Sequence, residues 1–156
     1  MYTYQPCPEC RKINRISLES LAGEHRKQPQ CGACKSPIFM TGLIGEVNAS
    51  GLMALVEKCS MPVVATFWAP HAKGSEAFAS VYFQATQYAG NEVVFVRINA
   101  LEHRLAPDAF GVRELPTTLF FARGLERARI ARPLGFEEFM GWLQTVYLAE
   151  GQRSES

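Results

Sequence analysis

Cys7, Cys10, Cys31 and Cys34 form two C-x-x-C pairs, CPEC and CGAC, with 20 residues between them. Four thiolates at that spacing make a tetrahedral ligand set for one structural zinc ion. Such a site is closed. With every coordination position taken by sulfur, the ion would hold the fold and would not activate water or substrate. The same thiols could instead leave as disulfides under an oxidant, a redox alternative that spacing alone keeps open. Cys59 stands apart in Glu57-Lys58-Cys59-Ser60-Met61-Pro62 and reads as a small side chain rather than a nucleophile. His71 and Ser75 lie four apart and superficially pair a base with a hydroxyl, but no orienting carboxylate accompanies them, so Ser/His catalysis is not expected. His25 and His103 carry no pattern.

These residues have to be positioned by a chain of 156 residues, enough for one ordinary domain, or for a small module and a domain of roughly 100 residues. Hydrophobic residues at 47% and charged residues at 20% match a folding globular chain and exclude disorder. A formal charge of +1 excludes a global field for nucleic acid or an anionic membrane. Residues 1–40 are cysteine-bearing and polar, with Arg11, Lys12, Arg15, Arg26, Lys27 and Lys35 against Glu9, Glu19 and Glu24. A module that small needs a metal or disulfides to fold. Its interspersed acids, and the lack of an aromatic platform after Tyr4, favour a solvated face over a nucleic-acid surface.

From Thr41 the pattern changes to apolar runs separated by amphipathic stretches, the mark of an α/β domain over 41–150. Strands are expected at Leu43 to Val47, Pro62 to Trp68, Val93 to Asn99, Thr117 to Ala122 and Leu125 to Ala131, the last two joined by an Arg123-Gly124 turn. Asn48-Ala49-Ser50 offers caps for a helix carrying Leu52, Leu55 and Val56; residues 72–89 and 103–110 are helix-compatible. Phe136, Phe139, Met140, Leu143, Val146 and Tyr147 mark one face of a closing helix, and 151–156 (GQRSES) reads as a frayed, flexible tail.

Pro62-Val63-Val64, Phe67-Trp68-Ala69-Pro70 and Phe110-Gly111-Val112-Arg113-Glu114-Leu115-Pro116-Thr117 stand in an order that resembles a thioredoxin over about residues 42–149. With the cysteine module in front, the whole chain is similar to a zinc-ribbon thioredoxin of the thioredoxin-2 type. The resemblance implies a thioredoxin fold, a central mixed sheet flanked by helices, behind a zinc ribbon over 1–40. One departure dominates. Where the family reads F-W-A-P-W-C-G-P-C-K, this chain reads Phe67-Trp68-Ala69-Pro70-His71-Ala72-Lys73-Gly74-Ser75-Glu76, so Ala72 and Ser75 replace the two redox cysteines. Disulfide exchange needs a thiolate nucleophile and a resolving thiol, and neither is present there. Thr66 stands where the family usually has a buried Asp, Ser80 where its long helix usually carries a kinking Pro, and Gly74 where the loop has Pro. Arg132 falls near a small Gly of the family's groove.

What the resemblance leaves is a groove in which a cis Pro116, with Leu115 and Thr117 beside it, pairs with an extended client segment. Trp68, Pro70, His71 and Lys73 would form its rim. The expected protein is a redox-inactive adaptor, chaperone or accessory subunit, not an enzyme, holding one zinc ion and a client protein. No membrane partner and no small-molecule substrate are expected. The alternatives are a residual thiol–disulfide oxidoreductase using Cys59 or the ribbon thiols, and nucleic-acid binding through the ribbon. The N-terminus has no apolar signal-peptide core and no apolar run approaches a membrane span, so a cytoplasmic location is expected.

Overall fold

The structure, a computed structural model, describes residues 2–21, 27–40, 42–90 and 92–154. Glu24 and Arg26, counted in the module's charge, His25, Thr41, the expected start of the second module, and the last two tail residues lie outside that set.

The first module is an antiparallel pair, β1 (Tyr2–Pro6) and β2 (Ile13–Ser17), in the register Tyr2↔Ser17 to Pro6↔Ile13. A 3-10 turn follows at Glu19–Leu21. Its apolar interior is small: Cys7, Ile16, Cys31 and Ile38, with Leu21, Met40 and Leu43 against them.

The second module is a five-stranded sheet in the order β3 (Gly45–Glu46), β5 (Val94–Asn99), β4 (Val63–Trp68), β6 (Thr117–Ala122), β7 (Leu125–Ile130). The pairs β3–β5 and β4–β5 are parallel, while β4–β6 and β6–β7 are antiparallel, so the sheet is mixed. Helix α1 (Ala49–Lys58) covers one face, while α2 (Ser75–Ala89) and α4 (Phe136–Ser154) cover the other; a short α3 (Ala106–Ala109) adds to the α1 side. The alternation along the strands explains the sorting, because successive side chains point to opposite faces. Val63, Ala65 and Phe67 join the α1 side, whereas Val64 joins Phe78, Tyr82, Phe95, Phe120 and Phe139 on the α2/α4 side. Asn48 caps α1 by accepting from the Gly51 N–H at 2.8 Å. Arg123 and Gly124 both take positive φ, 54° and 81°, as a tight primed turn between β6 and β7 requires.

Three expected elements are shorter than the sequence reading. The first strand of the domain is only Gly45–Glu46, with Val47 adding one backbone bond to Arg97 O at 3.1 Å. The long helix starts at Ser75 rather than 72, because Ala72 and Ser75 N–H groups are used in two successive turns to Ala69 O and Ala72 O. The 103–110 helix contracts to Ala106–Ala109. The closing helix is longer, and residues 151–154 of the expected tail are helical. Its last turns are tied down: buried Glu150 pairs with Arg127 at 3.3 Å and Arg123 at 3.8 Å, both from the β6–β7 hairpin.

The two modules pack together. Thr3 Oγ1 lies 3.6 Å from Cys59 Sγ, Ser60 Oγ donates to Tyr2 O at 2.7 Å, and Arg11 pairs with Glu102 at 2.8 Å and Glu46 at 3.0 Å. No described helix is long and apolar enough to cross a membrane.

Candidate metal centre and peptide groove

Each C-x-x-C segment folds into the same knuckle. In the first, Cys7 N donates to Lys12 O at 2.8 Å and Arg11 N to Cys7 O at 2.9 Å. In the second, Cys31 N donates to Ser36 O at 2.9 Å and Lys35 N to Cys31 O at 3.0 Å. The residue that closes each turn takes positive φ, Arg11 at 69° and Lys35 at 66°. This turn directs backbone N–H groups at sulfur: Glu9 N to Cys7 Sγ at 3.4 Å, and Ala33 N to Cys31 Sγ at 3.4 Å. Asn14 on β2 locks the two knuckles, accepting from Gly32 N and donating to Lys12 O, both at 2.9 Å.

The four sulfurs lie within 4.8 Å of one another. Cys7 and Cys34 are 3.6 Å apart and Cys10 and Cys31 are 3.5 Å apart. A tetrahedron of sulfurs at a Zn–S distance of ~2.3 Å has edges of about 3.8 Å. The donor set therefore fits a thiolate-bound metal ion, and Cys7, Cys10, Cys31 and Cys34 would hold it. The thiols are not equivalent: Cys31 is held down at about 5, first by the backbone N–H of Cys34 and then that of Ala33, with Asn14 adding to both, whereas Cys10 is pushed up to about 11, against the backbone N–H of Lys12, by the neighbouring sulfurs. Sulfur that ionises readily is ready to bind metal.

The second candidate site is at the end of the sheet where β4 and β6 meet. Register puts Phe67 opposite Thr117, so the 69–74 loop after β4 and the segment before β6 emerge side by side. The Leu115–Pro116 peptide is cis. Pro70, His71 and Lys73 are exposed and Leu115 is half-buried, while the side chains of Pro116 and Thr117 are buried. Trp68 is placed differently from the expected rim: its Nε1 is buried and Arg97 caps its ring at 5.2 Å. Gly74 takes φ +86° and packs against Pro133, where a Cβ would lie 2.8 Å from Cγ, so the segment follows a path that the family's Pro could not adopt.

The other candidates stay apart. Ser75 Oγ is buried without a hydrogen-bond partner among the described residues while His71 is exposed, so no base–nucleophile pair forms. Cys59 is 7% exposed at the end of α1, beneath β1 and at the opposite end of β4 from the loop. Arg132 is exposed and pairs with Glu138 at 3.0 Å. Sequence reasoning missed Asn14, and it missed the ion pairs of Arg11, Glu46, Arg97 and Glu102, because no local pattern announces partners that meet only on folding.

The fold and this groove define a thioredoxin-like protein. The family described as Thioredoxin matches residues 44–144, and the chain belongs to it. Thioredoxin C-3 of Corynebacterium nephridii is 28% identical over 137 residues, covering 88% of this chain and 90% of that protein. The chloroplastic thioredoxin M-type of Brassica napus is 29% identical over 119 residues, covering 74% of this chain and 67% of that protein. Among solved structures, a Malassezia sympodialis thioredoxin (Mala s 13) matches with a TM-score of 0.63 at 17% identity, covering 70% of this chain and 96% of that one, which speaks for the fold. The expectation that set the chain outside the enzymes is thereby corrected. Its family and relatives are thioredoxins, thiol–disulfide oxidoreductases.

Proposed function

We propose that this chain is a zinc-ribbon member of the thioredoxin family that keeps the client-binding groove without disulfide exchange at the 71–75 loop, and that it works as an adaptor, chaperone or accessory subunit. The single observation behind the reading is the loop itself. By the resemblance Ala72 and Ser75 stand at the thiol positions, and the exposed Pro70, His71 and Lys73 of that loop emerge at the same sheet end as the cis Leu115–Pro116 segment. An extended client segment would lie along the backbone of Leu115, Pro116 and Thr117, with Pro70, His71 and Lys73 as the rim and Trp68 backing it. The ribbon would carry one zinc ion with a structural role.

A second reading rests on family membership together with the 3.5 and 3.6 Å sulfur separations: thiol–disulfide exchange carried by the ribbon thiols, or by Cys59. The test separates the two. The protein is purified from its native cells under reducing conditions, as wild type, Leu115→Glu and Arg15→Glu. A stoichiometric protein lost only with Leu115→Glu supports the groove; one lost only with Arg15→Glu moves the interface to the ribbon, where nucleic acid would show as binding that falls steeply with salt. An insulin-reduction assay on the same preparations decides the second reading. Turnover abolished by Cys59→Ser or by zinc loading would establish thiol chemistry away from the loop.

A further inference from the structure

Arg11 carries charge from the cysteine module to the domain, and its place is set by the knuckle that it closes. It follows the candidate ligand Cys10 directly, its N–H donates to Cys7 O at 2.9 Å, and its φ is 69°. That region is uncommon for a residue with a Cβ, so the surrounding knuckle has to hold it there. Two of the four residues at the centre of the module are themselves cysteines of the metal set, Cys7 and Cys31. An interior this small does not fold without its metal. The position of Arg11 therefore depends on the metal centre.

Across the boundary the guanidinium holds two elements at once. One nitrogen meets Glu46 on β3 at 3.0 Å, and another meets Glu102 at 2.8 Å. Glu102 lies in the turn that follows β5, which Asn99 closes: its Oδ1 accepts from Leu101 N at 2.9 Å and Glu102 N at 3.2 Å, and its backbone O from His103 N at 2.9 Å. Leu101 and Glu102 are exposed, so burial adds little to this turn.

The turn adjoins the candidate groove. Strands β4 and β5 run parallel and end together, with Trp68 opposite Asn99, and Ala100 N donates to Trp68 O at 2.8 Å. Trp68 is the last residue before the 69–74 loop. One backbone bond thus links the turn that Arg11 holds to the segment carrying Pro70, His71 and Lys73.

Ion pairs this exposed add little to global stability. The opening of a short surface turn is a smaller equilibrium, and a tether at its tip acts on it directly. The two states are defined by the module. When it is folded, Arg11 stands between Glu46 and Glu102; when it is unfolded, Glu102 loses its arginine and Glu46 keeps Arg97. This is an order–disorder switch with an identified contact.

We propose that Arg11 is a positioning residue that makes the order of the 99–103 turn, beside the groove, depend on metal occupancy of the cysteine module. The coupling needs no client; its use in regulating a client rests on the groove reading above, and the test is made with no client present.

The test is amide hydrogen exchange on the full chain, under reducing conditions at one pH, zinc-loaded and after chelation. In wild type, chelation should speed exchange at Leu101, Glu102 and His103 about two- to fivefold, the scale that a partly exposed ion pair supplies. The Arg123-Gly124 turn should not change. Zinc-loaded Arg11→Ala should show the faster exchange already, with β1 and β2 still protected, a pattern that general loosening of the module would not give. Glu102→Gln, which leaves the knuckle intact, should do the same at Leu101 and His103, and it decides alone if Arg11→Ala loses its metal. The proposal is overturned if chelation leaves the three amides unchanged, if the Arg123-Gly124 turn speeds up with them, or if either zinc-loaded variant exchanges like wild type. Such a result leaves the groove reading standing, and a groove that binds no client leaves the coupling standing.

Discussion

Gly45→Ala should separate the ribbon from the thioredoxin domain. Gly45 sits on the two-residue strand β3, and a Cβ built there would lie 2.5, 2.8 and 3.0 Å from Cγ, Cδ and Cβ of Pro6 on β1. Ordinary contact begins near 3.4 Å, so one of two backbones must give by roughly 1 Å, and a proline ring cannot rotate out of the way. Overpacking of this kind costs about 1–3 kcal/mol, partly offset by the ~0.4–1 kcal/mol that replacing Gly gains through the unfolded chain. At about 2–4 °C per kcal/mol for a chain of this size, the melting temperature should fall by up to roughly 10 °C. The assay is a thermal and urea double-mutant cycle on zinc-loaded protein with Pro6→Ala, which removes the two nearest ring carbons. If the overlap is the cause, Gly45→Ala costs little in the Pro6→Ala background, with a coupling of about 1–2 kcal/mol. Additivity within ~0.5 kcal/mol would refute the reasoning and mean that the modules do not touch there in solution.

Asn14→Ala should weaken zinc binding by about 10–100-fold in a chelator competition, because it removes both 2.9 Å bonds that lock the two knuckles; unchanged affinity would make Asn14 a mere filler. Elemental analysis should give one zinc per chain, and chelation should erase the dispersed amide signals of residues 2–40 first, since a structural zinc supplies ~10–16 kcal/mol of binding that a module of this size cannot replace. Signals of β4, β5 and β6 should persist, and their simultaneous loss would count against two separable cores. The Glu102 carboxyl should titrate below the ordinary carboxylate range, first because Arg11 donates a hydrogen bond to it. Its folded value is depressed, so its contribution to docking is complete above the unfolded value and disappears as pH falls through the folded one. Arg11→Ala should raise it toward the ordinary carboxylate range, a shift visible by carbon-13 NMR.

The elements most legible in the sequence were those with a strong local signal. The apolar runs at Val63, Val94 and Thr117 are buried on both faces and read as strands with boundaries right to within a residue. The Arg123-Gly124 turn followed from its position between two such runs, and the gathering of the four sulfurs from cysteine spacing alone. What failed were ends and weak edges. Leu43 and Ile44 are apolar enough to suggest a strand, yet Leu43 packs into the ribbon interior and Ile44 lies against the α2-side core, leaving two residues for the ladder. The helical extent of 151–154 depended on Glu150 meeting two arginines more than 20 positions away, which no local window contains. The larger correction concerned chemistry: reading absence of activity from Ala72 and Ser75 treated one loop as the whole protein, while the chain carries five thiols elsewhere and belongs to an enzyme family.

The ribbon's place in the fold follows from what β3 lacks. An edge strand exposes unpaired backbone groups and invites pairing with other chains; this one contributes only Gly45↔Val96 and Glu46↔Arg97 to the sheet. The ribbon covers it without extending it. Pro6, the residue seated on Gly45, has no N–H to donate, so β1 cannot join the ladder at that point, and the two sheets stay separate. Attachment falls instead to side chains: Glu46 takes Arg97 on one side and Arg11 on the other, and Arg11 reaches on to Glu102. Two cations and two carboxylates close the charge count across the boundary. Arg11 is also the residue that closes the Cys7–Cys10 knuckle with its positive φ. The same chain of ion pairs that fastens the cysteine module to the domain therefore fixes the guanidinium that lies over the Trp68 ring.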